Sequence, residues 1–573
     1  MKNKINNGLI FKENSTLKDC PLSEYPRVNL VRNSYLSLNG NREICITNNG
    51  DWVEESKLNC VVPFAIETNL SGVAHLLEPI ERIHYKKHVI LPKEFRNDLL
   101  IIHFEGIDCI SKVFIDQKLV KEHVGGYTSF EVVLEDFKDE FDIDVIVEDK
   151  TDESPYSRGK QKLNRGGIWY TSTSGIYKPV WIESVSKNYI KTLQISPLFN
   201  ENAVKFDIKT NEKEEVNIEF DKYKIKGFTN EIIKVDVKDL PIWSLDNPNL
   251  ITVKVKTKHD EVESYFGFRD IKIAKREGIP YIFLNNEPVF INGLLDQGYY
   301  YEGNLTPKDY SDYLDDITEV KALGFNCIRV HIKTELPMFY YYCDANGILV
   351  IQDIVNGGDK YKFWPQVRGG LFPFLKKNND KNYKKFSRTS LEGKKEYYDV
   401  LNETINNLYN HPSVIMYTLF NEGWGQFDSK EVYEKAKEID PNRIYDVTSG
   451  WYDNGYNEIE SIHSYFYKLK LPKNLQKPVI FTEFGGYSYF LEDHFYGKKK
   501  TGYRFYNNKE KLTKAYEKLY RKNIIRLKKK GLAGAIYTQL NDVEDEINGL
   551  MTFDRKVLKI NRDVIKEINK ELK

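Results

Sequence analysis

Two glutamates mark where this sequence can do chemistry. MYTLFNEGWGQF sets Asn421 and Glu422 where an apolar run breaks into glycines, and VIFTEFGGYS sets Glu483 at the same point of a second run. A pair of carboxylates facing one cleft is the minimum apparatus for cleaving a glycosidic bond: one protonates the departing oxygen, and the other attacks the anomeric carbon or activates water. Carboxyl groups about 5 to 5.5 Å apart imply retention through a glycosyl-enzyme, and a wider gap implies inversion. Either glutamate alone reads equally as a surface acid or a structural partner. The pair, each closing a strand-like run, points to catalysis.

Such a pair needs a frame that brings distant strand ends to one mouth. Beyond Gly278, apolar runs of β character alternate with charged segments of helical period. The candidate strands are 289–295, 325–332, 348–354, 413–420, 444–449, 459–464, 479–484 and 533–540. Eight strands with intervening helices is the count of a (β/α)8 TIM barrel, whose functional residues gather at the C-terminal ends of the strands. Upstream the pattern differs. From about Leu30 to Ser184, short alternating runs such as LLIIHFEG and DIDVIVED read as an all-β sandwich, and Ile190 to Ala274 as one small immunoglobulin-like sandwich. The expected chain is multidomain: a β-sandwich over 1–186, an immunoglobulin-like β-sandwich over 187–276 and a catalytic barrel over 277–573.

The 573 residues carry 84 Lys+Arg against 84 Asp+Glu, and this +0 balance removes the bulk electrostatic reason to bind nucleic acid or an acidic membrane. No run of 18 apolar residues occurs, and the opening MKNKINNGLIFKENSTLK lacks the apolar core of a secretory signal, so a soluble, cytoplasmic protein is expected. The six cysteines include no CxxC pair and are expected to be reduced and buried. The Gly-Gly pairs at 357–358, 369–370 and 485–486 lack nucleotide-loop spacing, and acids such as Asp353, Asp542 and Glu544 are scattered; no cofactor and no metal are expected. The 39 tyrosines, 31 phenylalanines and 7 tryptophans fit either β-rich cores or stacking on sugar rings.

The segments VPFAIETNLSG (62–72), HVGGYTSF (123–130), RGGIWYTSTSGIYKPVWIE (165–183), IWSLDNP (242–248), FGFRDI (266–271), FNCIRVH (325–331), FNEGWG (420–425) and FTEFGG (481–486) stand in one order over essentially the whole chain. Together they resemble family 2 of the glycoside hydrolases, the group of β-galactosidases, β-glucuronidases and β-mannosidases. The resemblance implies a jelly-roll, sugar-binding fold for the first sandwich and a retaining, exo-acting barrel. It implies Glu422 as the acid/base and Glu483 as the nucleophile. Asn421 would hydrogen-bond the sugar 2-hydroxyl, a contact that strengthens as oxocarbenium character develops. The implied partner is a carbohydrate substrate, and a homo-oligomer stays open.

Within the family, the sequence leads to terminal β-galactosides as substrates. A β-glucuronide, a β-galacturonide or an arabinopyranoside is the alternative. The family's β-glucuronidases carry an Asn-x-Lys element after the eighth strand, and NDVEDEINGLMTFDRKVLK has none; Asn507-Asn508-Lys509 fits the pattern but precedes the last helix and strand. A non-catalytic carbohydrate-binding protein is a remote alternative, disfavoured by two glutamates in full motif context.

Other strand ends supply the substrate-binding candidates. Arg329 can hold a carboxylate ionised and orient it, or form a barrel-rim salt bridge. His331 follows it by two residues, where the family commonly has three. His463 and Tyr465 end the sixth strand, where the family often contacts the sugar or the nucleophile; a satisfied core histidine is the competing account. Trp424, Trp451 and Tyr537 read as pyranose platforms or as core, Tyr537 standing where many relatives have Trp. Asp296 and Gln297 close the first strand and can bind hydroxyls or cap the loop. Trp169 reads as packing where the first domain meets the barrel mouth.

Overall fold

The computed structural model describes residues 20–362 and 379–573, so the opening stretch read for a leader and the pair Gly369-Gly370 lie outside the described residues. Alternating burial builds the first sandwich, as in Glu140–Glu148, where Phe141, Ile143, Val145 and Val147 are buried between more exposed neighbours. That strand belongs to a six-stranded antiparallel sheet, ordered Leu58–Val62, Gly40–Thr47, Arg82–Ile90, Glu140–Glu148, Ile110–Ile115 and Lys118–Val124. A four-stranded sheet of Leu36–Ser37, Val180–Val185, Leu99–Phe104 and Phe130–Leu134 shares its core. A smaller sandwich of three and four antiparallel strands follows between Thr192 and Phe266, packed around Ile195, Phe206, Ile218 and Val253.

The barrel strands are β1 (Ile291–Asp296), β2 (Cys327–Val330), β3 (Leu349–Asp353), β4 (Val414–Asn421), β5 (Ile444–Ser449), β6 (Glu460–Ser464), β7 (Val479–Gly485) and β8 (Leu532–Thr538). Each lies on one of the eight expected runs. They form one parallel sheet in the order β5-β4-β3-β2-β1-β8-β7-β6, which closes every step of the ring except β5 to β6. The described helices include α1 (Tyr310–Ala322), α2 (Pro337–Asn346), α3 (Leu391–Leu408), α4 (Ser429–Ile439), α5 (Lys509–Leu519) and α6 (Arg562–Glu571). None of the described helices is long and apolar enough to cross a membrane.

Strand parity sorts the side chains into two layers. Ile291, Leu295, Cys327, Ile351, Ile480 and Ile536 pack together inside the barrel. Leu294, Ile328, Val330, Val350, Phe481 and Tyr537 pack outward against helix residues such as Ile317, Leu401, Tyr516 and Ile565. A hairpin of Ile271–Arg276 and Ile279–Leu284 places Ile271, Ile282 and Leu284 on the inner cluster and stoppers the N-terminal end. Residue 277, where the barrel was expected to begin, falls in the turn of this hairpin. The open end is therefore the one formed by the strands' C-termini.

Helix α3 ties the first sandwich to the barrel. Its Glu396 accepts hydrogen bonds from the Ser157 backbone N–H at 3.0 Å and hydroxyl at 2.9 Å, and its Glu403 accepts one from the Ser129 N–H at 2.6 Å. Burial pushes both carboxyl pKa values up to about 7 against these donors. Between the ordinary carboxylate value and about 7, each group then holds a proton in the folded protein that the unfolded chain lacks. Stability consequently falls as the pH rises through that window. Thermal unfolding is expected at a higher temperature at pH 6 than at pH 8, with a smaller difference in Glu396→Gln. An identical pH dependence in wild type and variant would count against this latch.

Candidate active site

Parity in β2 turns Arg329 into the lumen, between the outward Ile328 and Val330, and His331 two residues on shares its face. The guanidinium is fully buried. It donates from Nε and Nη2 to Asp353 at 3.0 and 2.9 Å, from Nη2 to Asn421 Oδ1 at 2.9 Å, and from Nη1 to the Thr482 carbonyl at 3.1 Å and Glu483 Oε1 at 3.2 Å. One side chain thus links β2, β3, β4 and β7. The amide of Asn421 is held with its oxygen toward Arg329, so its NH2 is what it offers the cavity.

Glu483 faces inward because β7 carries an extra residue. Phe481 pairs with Ala535 and Phe484 with Tyr537, three steps on β7 against two on β8. The bulge lets Thr482 and Glu483 both point into the barrel while Phe481 and Phe484 stay outside. Glu483 takes a hydrogen bond from the Tyr465 hydroxyl on Oε2, and His331 Nε2 lies 3.3 Å and His463 Nε2 3.6 Å from Oε1. Burial alone would raise its pKa, but the positive field of His463, His331 and Arg329 holds this carboxyl well below the usual range. The following Gly486, at φ +67°, has no room for a Cβ, which would sit 2.3 Å from the Tyr503 ring.

Glu422 follows the last residue of β4 at φ +52°, a left-handed conformation that costs a non-glycine residue energy, and glycines at 423 and 425 continue the sharp turn. Its N–H is anchored on the Ser449 carbonyl at 3.0 Å. The carboxylate meets His463 Nδ1 at 2.7 Å and the Trp424 indole N–H at 3.5 Å. His463 reaches the Ser449 hydroxyl at 3.0 Å through Nε2. Burial would depress the His463 pKa, yet the carboxylates of Glu483 and Glu422 raise it above its ordinary value. A carboxylate oxygen of Glu422, one of Glu483 and a ring nitrogen of His463 all lie within 4.8 Å of one another. These three have the donor types to hold a divalent cation, although Arg329 and Tyr465 already partner Glu483.

The inner cavity is lined by both glutamates and by Gln297, His331, Asn421, Trp424 and Tyr465 of the expected set. His463 and Trp451 line the adjoining outer space. Gln297 Oε1 meets His331 Nδ1 at 2.9 Å, and its amide donates to Gln539 at 2.8 Å. Trp169 reaches the cavity as well as the interface, edge-on to Trp424 at 4.9 Å.

Three expectations need correction. Tyr537 is fully buried outside the barrel against Phe484 and Tyr516, because its parity on β8 is opposite to that of Thr538, which does line the cavity. Asp296 has the same outward parity on β1 and caps the loop by accepting from the Gly298 N–H at 2.8 Å. Arg329 lies behind the nucleophile candidate and outside the cavity lining, which fits its orienting reading and not a substrate contact. Asn508 caps α5 and Lys509 donates to the Leu558 carbonyl at 2.9 Å, so neither enters the cavity. Asp542 and Glu544 pair with Lys559 at 2.6 Å and Arg165 at 2.9 Å.

Several lining residues carried no sequence signal. Lys160 arrives on a loop of the first sandwich that is pinned to the barrel, the Arg158 and Gly159 N–H groups both donating to the Asn356 carbonyl at 2.9 Å. Its ammonium lies 3.5 Å from the Tyr170 hydroxyl and 3.7 Å from Glu546 Oε2, near the limit of a hydrogen bond. Asn356 is buried with neither side-chain amide atom partnered.

Residues 280–569 match the family model described as "Glycosyl hydrolases family 2, TIM barrel domain", and residues 188–269 match "Glycosyl hydrolases family 2". A beta-galactosidase of Thermoanaerobacterium thermosulfurigenes is 27% identical over 450 residues, covering 71% of this chain and 57% of that protein. The chain spans about half the length of the curated relatives it matches. Among solved structures, a GH2 beta-galacturonidase from Eisenbergiella tayi bound to galacturonate superposes with a TM-score of 0.71 at 19% identity, covering 95% of this chain and 99% of its own. A Ruminococcus gnavus beta-glucuronidase does so at 0.75 and 17% identity, covering 97% and 99%. At these identities the structural likeness speaks to the fold.

Proposed function

The chain belongs to glycosyl hydrolases family 2, and on that premise we propose that it is a retaining exo-β-glycosidase acting on terminal β-uronides, glucuronide or galacturonide. The observation that carries the glycosidase reading is the pair of carboxylates on one cavity, one oxygen of Glu422 lying within 4.8 Å of one oxygen of Glu483. Glu483, held ionised, attacks the anomeric carbon while Glu422 protonates the departing oxygen. Glu422 then takes a proton from water, which opens the glycosyl ester on the same face and retains the configuration. Tyr465 and Arg329 orient the nucleophile, and Asn421 offers its NH2 to the 2-hydroxyl.

The uronide preference rests on Lys160 and Asn356. A sugar carboxylate buried without a cation or amide is costly to desolvate, and these two line the same cavity as both glutamates, one weakly engaged and one unpartnered. The uronidases among the structural neighbours agree with it. A neutral β-galactoside is the second reading, favoured by Glu546, which stands beside Lys160 and can accept from sugar hydroxyls, and by the galactosidase relative.

Matched nitrophenyl β-glucuronide, β-galacturonide and β-galactoside decide between them. A uronide is expected to win by at least about tenfold in kcat/KM, about 1.4 kcal/mol. Lys160→Met should remove most of that advantage and leave the galactoside rate within about threefold. A galactoside preferred tenfold or more would overturn the uronide reading.

A further inference from the structure

Outward from Glu422 the cavity opens into a vestibule of about 690 Å³, within the usual range for a small-molecule site. Glu422 lines both spaces, whereas Glu483 lines only the inner one. A substrate with its anomeric carbon at Glu483 and its leaving oxygen at Glu422 therefore projects its aglycone into this vestibule. We infer that the vestibule is a site for a flat aromatic aglycone, a phenol or fused-ring phenol, and not for a second sugar. The inference rests on the glycosidase reading and goes on to name the leaving group.

The ring supply is the first argument. Tyr361, Trp424, Trp451 and Tyr503 come from the loops after β3, β4, β5 and β7, the loop after β6 brings Tyr465, Phe466 and Tyr467, and the first sandwich adds Trp169. Trp169, Tyr361 and Trp424 form a triangle with centroids 4.9 to 5.7 Å apart, Trp424 standing at 83° and 67° to the other two. Faces and edges are thus presented on several walls. Across the mouth, Phe466 meets Tyr503 at 5.6 Å and 65°. Such a cage suits a guest with π faces and polarised edges of its own.

A pyranose asks for something else, one apolar platform plus a rim of donors and acceptors for its equatorial hydroxyls. The polar side chains here are mostly engaged by the fold. Arg158 donates to the Ser154 and Gly358 carbonyls, Asp152 accepts from the Leu163 N–H, and Gln161 bonds Asp108, Tyr127 and Thr173. At the rim the Phe466 ring is 62% exposed, apolar surface that a flat guest would cover.

The test compares 2-naphthyl and phenyl glycosides, whose leaving groups are of similar acidity, within whichever sugar series the enzyme turns over best. The 2-naphthyl compound should lead by at least about fivefold in kcat/KM, mainly through KM, and a disaccharide with the same terminal sugar should have the highest KM of the three. In the double variant Trp451→Ala, Phe466→Ala, the naphthyl-to-phenyl ratio should fall to within about twofold of unity. A wild-type ratio near one, a ratio untouched by the substitutions, or a disaccharide KM below the aryl ones would overturn the inference. A sugar preference other than uronide affects only the earlier reading, because the ratio is taken within one series. If no series is turned over, the glycosidase reading fails, and tryptophan fluorescence with free 2-naphthol decides this one: quenching that the double variant loses supports it, and no quenching overturns it.

Discussion

Glu483→Gln or Glu483→Ala is expected to lower kcat/KM by at least about 10³-fold, roughly 4 kcal/mol of transition-state stabilisation, in a protein that still folds. The loss is chemical because Glu483 is the carboxylate whose ionised form Arg329, His331 and His463 favour. The fold survives because Arg329, once deprived of Glu483, keeps Asp353, Asn421 and the Thr482 carbonyl as partners. Glutamine preserves the volume at the bulge. Steady-state kinetics with a thermal unfolding curve test both halves. Azide should rescue the alanine variant and give a product of inverted configuration, since a small anion in the vacated space attacks from the nucleophile's side without a second displacement. More than about a tenth of the wild-type rate in either variant would remove Glu483 from the mechanism.

Periodicity alone was enough to read the barrel in the sequence, because each of its strands is an apolar run and the loops between carry helical charge patterns. Asn421, Glu422 and Glu483 were legible for the same reason: they close such runs. The limit was parity. Asp296 and Tyr537 also close or approach strand ends, but they point toward the helices, and only the packing of Leu294, Leu295, Ile536 and Thr538 shows which phase faces inward. Parity would even have misled at β7, where strict alternation with Thr482 inside would put Glu483 outside; the bulge restores it. Lys160 and Asn356 had no signal because their approach is tertiary, through backbone bonds between a sandwich loop and a barrel loop nearly two hundred positions apart in sequence. The vestibule rings were visible as aromatic excess, yet their convergence depends on five barrel loops and a segment of the first sandwich.

Glu422→Ala should divide substrates by leaving group. The carboxylate of Glu422 lines both the inner cavity and the vestibule, so it stands where the glycosidic oxygen crosses from sugar to aglycone. Proton donation there matters in proportion to the basicity of the departing oxygen. For an alkyl or unactivated phenyl glycoside, kcat/KM is expected to fall by about 10³-fold or more, while a dinitrophenyl glycoside, which leaves without a proton, should lose no more than about tenfold. Because kcat/KM reports the glycosylation step, the difference is not masked by slow hydrolysis of the intermediate. That later step also loses its base, so the glycosyl ester should accumulate and added azide should raise kcat with retained configuration. His463 offers an independent readout. With the Glu422 carboxylate gone it loses its 2.7 Å partner and one of the two charges that raise its pKa, so its titration should move down. Equal losses on activated and unactivated substrates would assign Glu422 to positioning His463 and leave the proton donor to be sought elsewhere in the cavity.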